Sequence, residues 1–104
     1  MSTKQEAMQQ VYDNANEEWK NSAYLAVLRV AARQADLTTD DVWEAIPSGI
    51  ETHERRALGP IMVLAAKNGI IEKTGRWVET KREAAHQRPV ALWRSKVFKK
   101  EAWL

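Results

Sequence analysis

Residues 52–77 read THERRALGPIMVLAAKNGIIEKTGRW, and the fold turns on how this stretch is divided. Leu58, Ile61, Met62 and Ala65 recur at the spacing of one helical face. Lys67 and then Asn68-Gly69 supply a last-turn cation and a C-cap signal. The β-branched IIEKT that follows predicts a short strand. The start of the helix has two solutions. Pro60 lacks an N–H and its ring clashes with the carbonyl four residues back, and Gly59 weakens the helix at the same point. Either regular helix begins at about Ala57, leaving Pro60 in a first turn that needs no donor there, or it begins near His53 behind a Thr52 cap and kinks at Gly59-Pro60. Both solutions bring Arg55 and Arg56 to a helix N-terminus. Gly59 also offers a surface without a side chain, where another backbone can come close.

Upstream, DLTTDDVWEAIP predicts a short helix over 39–46. Thr38 and Asp41 match a capping signature, Leu37 and Val42 a hydrophobic staple, and Pro47 closes the helix. Val42, Trp43 and Ile46 form its buried side. Further back lies the strongest helix, over about 16–35. Trp19, Ala23, Ala26, Val27, Val30 and Ala31 make one stripe, broadened by Tyr24 and Leu28. Glu17 and Glu18 stand near its start and Arg29 and Arg33 near its end, as the helix dipole prefers. Asn14 with Glu17 is a candidate cap for it. Residues 1–15 predict a short extra helix, with Thr3 and Glu6 as a capping box and Ala7, Met8, Val11 and Tyr12 at helical spacing.

Downstream, GRWVETKREAAHQRP is polar, basic and long, and VALWRSKVF alternates, with Ala91, Trp93 and Ser95 on one face and Val90, Leu92 and, by the same alternation, Arg94 on the other. Two antiparallel strands joined by a basic excursion account for this, with Trp77 or Val78 able to extend the first strand. Trp103 and Leu104, in the tail KKEAWL, have no evident place in so small a core. There are no repeats and no Gly/Ser linker, so residues 1–104 are expected to form one α+β, mostly α, domain.

The order is helix, helix, helix, strand, excursion, strand. It resembles a winged helix-turn-helix domain over roughly 16–97, carried by LTTDDVWEAI, ERRALGPIMVLAAKNGIIEKT and RPVALWRS. The block Arg56–Thr74 followed by HQRPVALWRS is similar to small winged-helix proteins of bacteriophages and prophages, described as helix-turn-helix DNA-binding proteins. The resemblance implies three core helices plus a two-stranded hairpin wing. Residues 1–15 and 98–104 fall outside it, and the Gly59-Pro60 break departs from an uninterrupted recognition helix.

The charge is divided along the chain. Residues 1–52 carry four basic and nine acidic side chains, net −5. Residues 73–104 carry nine basic and three acidic, net +6. Such asymmetry favours a polyanionic partner for the basic end. On a winged helix, the first residues of the recognition helix reach base edges. Here these are His53, Arg55 and Arg56, with Gly59 and Val63 further along the outward face. The competing reading pairs the arginines with Glu51, Glu54 or the acidic front half. The wing candidates are Arg76, Lys81, Arg82, His86, Gln87 and Arg88, with Lys73, Arg94 and Lys96 as flanking phosphate contacts; the alternative is a solvated loop. Among the five tryptophans, Trp19 and Trp43 read as core and Trp93 as core or cross-strand partner. Trp77, in the basic wing, is the candidate for DNA contact.

Other classes fit poorly. There is no Cys and there are two His, which excludes a disulfide framework and gives no recognisable metal site. THERRA lacks the second histidine of a zinc-protease motif, and no nucleophile elbow or P-loop occurs. The expectation is a non-enzymatic, cytoplasmic protein without cofactor or small-molecule substrate. No apolar run reaches the ~18 residues of a membrane span, and no signal peptide opens the chain. The expected partner is double-stranded DNA, with a homodimer built on the N-terminal helix and tail as a further expectation. The alternative is a protein–protein module on the same scaffold, since fold does not fix function.

Overall fold

Helix α2 (Glu17–Arg33) is the axis of the molecule. In the computed structural model, which describes residues 3–52, 54–80 and 88–99, every member of its apolar stripe from Trp19 to Ala31 is buried. Its cap is Asn16, whose Oδ1 accepts from Trp19 N at 2.7 Å. The Asn14–Glu17 cap expected from sequence is therefore not formed, because α1 (Lys4–Asn14) runs on through Asn14. Thr3 and Glu6 cap α1 reciprocally, as the sequence predicts. Lys20 joins the two helices: nearly buried, it reaches Glu17 at 3.2 Å and lies 4.1 Å over the Tyr12 ring.

Strand β1 (Asp36–Leu37) follows α2 and leads into α3 (Thr39–Ala45). The Thr38–Asp41 capping box forms, with Asp41 Oδ2 accepting from Thr38 N at 2.9 Å. Leu37 and Val42 are both fully buried, as a staple across the cap requires. Trp43 and Ile46 are only half-buried against the core, while Asp40 is buried.

The Gly59-Pro60 problem is solved by a change of helix type. A 3-10 turn (Arg55–Ala57) precedes α4 (Leu58–Lys67), so Pro60 is the third α-helical residue and its missing donor lies among those with no intrahelical partner. The kinked helix starting near His53 does not form. Thr52 is not the cap: its Oγ1 accepts from Glu54 N, and Glu54 itself accepts from Arg56 N. Leu58, Ile61, Met62 and Ala65 face the core as expected. Gly69, at φ 79°, ends the helix, with its N–H donating to Ala66 O and that of Ile70 to Ala65 O.

Among the described residues the sheet has three strands in the order β1-β3-β2, with β2 (Ile71–Glu79) and β3 (Pro89–Ser95) antiparallel. The two-stranded hairpin read from sequence is thus two-thirds of the sheet. Leu37 pairs with Trp93 and Asp36 with Arg94, closing the hairpin base onto the helices. Ser95 Oγ donates to Ala31 O at 2.6 Å and Lys96 N to Ile70 O at 2.9 Å, anchoring the end of β3. Lys73 faces Trp93 but Trp77 faces Ala91, so Thr74, Gly75 and Arg76 together stand opposite Leu92. This bulge is built by Thr74 Oγ1, which donates to Leu92 O and accepts from Arg76 N, and by Gly75 at φ 80°. A bulge bends its strand and strengthens the twist.

Candidate functional site

Two groups of cations stand out from this frame. The first lies on the 3-10 turn. Arg55 sets its guanidinium 4.4 Å over the Trp43 ring, which in turn lies 5.7 Å from the buried Trp19. A line of contacts therefore runs from the core to an exposed arginine, and stacking of this kind limits the freedom of a long side chain. Arg56 is held differently. Its Nε donates to Glu54 Oε1 and its NH2 to Glu54 Oε2, both at 3.0 Å. The Arg56 side chain remains 79% exposed. The side-chain hydrogen bond from Arg56 holds the Glu54 carboxyl below its ordinary range, and Glu54 raises Arg56 in return. Of the two sequence readings for these arginines, local pairing is therefore realised for Arg56 with Glu54, but at the surface rather than in the interior. His53 lies outside the described residues.

The second group lies on the hairpin. Arg76 and Arg88 are exposed and have no carboxylate within ion-pair distance among the described residues. Between them Trp77 is 66% exposed, although its strand partner is Ala91, which packs on the core. Lys96 is exposed at the foot of β3. Lys73 is partly engaged, 5.9 Å from the Trp93 centroid. Arg94 is the least available of the expected phosphate contacts. It sits in a cross-strand row between Asp36 and Glu72, and its NH1 is 3.4 Å from Glu72 Oε1. Lys81, Arg82, His86 and Gln87 lie outside the described residues.

The far end of the hairpin is tied to the helices by a buried contact. Thr80 Oγ1 donates to Asp40 Oδ2 at 2.7 Å, and both residues are buried. Thr80 N also donates to Arg88 O, so the tether fixes both strand ends. Sequence reading missed this pair: 40 residues separate them, and each looks like an ordinary polar residue.

The flank of α4 differs from expectation. Helix α1 lies against the 3-10 turn and α4, and a groove of about 420 Å³ between them is lined by Met8, Tyr12, Pro60, Val63, Leu64 and Lys67, among others. Val63 thus lines a groove shared with α1 instead of an open outward face. Gly59 is exposed, and a Cβ there would meet nothing within 4 Å among the described residues outside its own stretch of helix, so the close backbone approach is not made by them.

Among the described residues no helix is long and apolar enough to cross a membrane, and no cluster of three or more His, Asp or Glu is arranged to hold a metal ion. No family model, curated protein or solved structure matches the chain.

Proposed function

We propose that this chain is a winged-helix protein that binds double-stranded DNA, of the kind small bacteriophage and prophage proteins represent, serving transcription, replication or excision. In this reading α2, α3 and α4 are the three core helices, β2–β3 is the wing and α1 is an added support. The observation that carries it is the pair of exposed hairpin cations without carboxylate partners among the described residues, Arg76 and Arg88, on the same two strands as an exposed Trp77. Neutralising phosphates releases condensed counter-ions, so such an arm binds any duplex in a salt-dependent way. The aromatic ring adds a face for stacking or sugar contact. Base contact falls to the start of α4, where Arg55 and Arg56 are exposed, because α1 occupies the flank further along.

A second reading, a protein–protein adaptor, is favoured by one feature. Helix α4 carries a single charged residue, Lys67, and the groove beside it is largely apolar. The two readings part in a fluorescence-anisotropy titration against random-sequence duplex at low and moderate salt. For the DNA reading, Arg76→Ala plus Arg88→Ala lowers the slope of log affinity against log salt by about 1.8, one phosphate for each arginine. The melting temperature stays unchanged. Weak binding at low salt that is indifferent to these substitutions favours the adaptor.

A further inference from the structure

Arg55 and Arg56 are neighbours of the same type, yet the structure prepares them for different contacts. A guanidinium has five N–H groups, arranged so that two edges can each donate a parallel pair. In Arg56 the side edge, Nε and NH2, is filled by the Glu54 carboxylate at 3.0 Å. The end edge, NH1 with the outer N–H of NH2, has no partner among the described residues and is in solvent. We propose that Arg56 reads a guanine through this end edge, with Glu54 as the positioning residue that aims it. The inference rests on the DNA reading above and assigns base recognition within that site.

Three points of chemistry support it. First, the pair's charges largely cancel at long range, which makes Arg56 a poor counter-ion for phosphate but leaves its directional donors intact. Second, guanine O6 and N7 are two acceptors spaced for such a parallel pair in the major groove. Third, the fork from Glu54 restricts the rotation of a side chain that would otherwise lose conformational freedom on binding. Glu54 is itself fixed, since it caps the 3-10 turn through Arg56 N and its own N–H donates to Thr52 Oγ1. Among the described residues Arg55 has no carboxylate partner, and its guanidinium lies 4.4 Å over the Trp43 ring, so its full charge is offered to a phosphate.

The test is selection from a random duplex library by the full chain, wild type beside Arg56→Lys, Arg56→Ala and Glu54→Ala, with affinities and melting temperatures measured for each. Wild type is expected to enrich sites that hold guanine at one position. Arg56→Lys keeps a positive charge but lacks the fork, and should lose about 5- to 100-fold of the preference at that position. Glu54→Ala removes a negative charge and should bind random duplex more tightly while its guanine preference falls. A purely structural role for Glu54 would lower stability and leave relative base preference intact. If duplex binding is salt-dependent but base preferences are the same in all four proteins, or wild type selects no guanine, this inference fails and the DNA reading stands. If none of the four binds any duplex at low salt, both fail.

Discussion

Trp19 and Trp77 show how differently two regions of one small chain use the same side chain. Trp19 is 0% exposed, on the buried face of α2, the helix that contacts α3, α4, β1 and β3. Trp77 is 66% exposed, on an arm whose outer half makes its named contact with the helices through Thr80 and Asp40. In the helical body, apolar periodicity is converted almost completely into burial. On the hairpin beyond the bulge, strand pairing continues but contact with the body thins to Ala91 on the core and the Thr80–Asp40 hydrogen bond. The lesson is a division of labour: packing energy is concentrated in the helices, and the arm can carry exposed cations and an exposed aromatic without endangering the fold.

The largest effect that tests this division is on stability. Trp19→Ala is expected to cost about 3–5 kcal/mol, as for large aromatic truncations in a core. Trp77→Ala should change stability by less than about 0.5 kcal/mol, the range for surface sites. Chemical denaturation of both variants checks the pair. A Trp77→Ala variant as unstable as Trp19→Ala would mean that the arm belongs to the core after all.

A smaller effect sharpens the boundary between the two regions. Thr80→Val keeps the shape of the side chain but removes the donor to Asp40 Oδ2, a contact of 2.7 Å between two buried residues. Loss of one partner from a buried hydrogen bond costs about 1–3 kcal/mol. Hydrogen exchange should show where the loss falls. Amides of Val78, Thr80 and Val90, which belong to the hydrogen-bonded pairs of this register, should exchange faster, while those of α2 retain their protection. Uniform acceleration across α2 and the hairpin would show that body and arm unfold as one unit.

The body was legible in the sequence because its signals are local. The stripe of α2, the Thr38–Asp41 cap and the Gly69 stop each depend on residues within about one or two helical turns. Gly59 and Pro60 leave two starts open for the next helix, and the later one, at about Ala57, is close to the start that forms. The 3-10 turn before Leu58 was not legible, and its cap is Glu54 because Thr52 Oγ1 accepts from Glu54 N instead. What escaped depends on distant partners. Strand β1 is two residues long and exists only because Trp93 and Arg94 lie beside it. The bulge at Thr74–Arg76 needs a register that no periodicity in β2 reveals. For the candidate site, Arg55 and Arg56 and the cationic hairpin were readable from charge and order. Their individual environments were not: Glu72 and Asp36 beside Arg94 come from neighbouring strands, and Trp43 beneath Arg55 comes from another helix.

The 3-10 turn belongs to the helical body yet carries exposed arginines, and its ion pair gives the smallest effect and the most local one. Arg56 holds the Glu54 carboxyl below its ordinary range, chiefly by the side-chain hydrogen bond. A carboxyl with a folded-state pKa below its unfolded value contributes stability that is fully present above the unfolded value. That contribution is lost as pH falls through the lower, folded one. Solvent around Arg56 screens the pair, so the consequence for unfolding is slight. The titration itself is a sharper reporter. Followed by NMR at its side-chain carbon, Glu54 should titrate at lower pH in the wild type than in Arg56→Ala, where its midpoint moves up toward the usual glutamate range. Arg55→Ala should leave it in place, because Arg55 stacks on Trp43 and makes no hydrogen bond to Glu54. A Glu54 midpoint that ignores Arg56→Ala would show the fork to be absent in solution. Arg56 would then be as free as the hairpin cations, and the distinction between an aimed arginine and a merely exposed one would disappear.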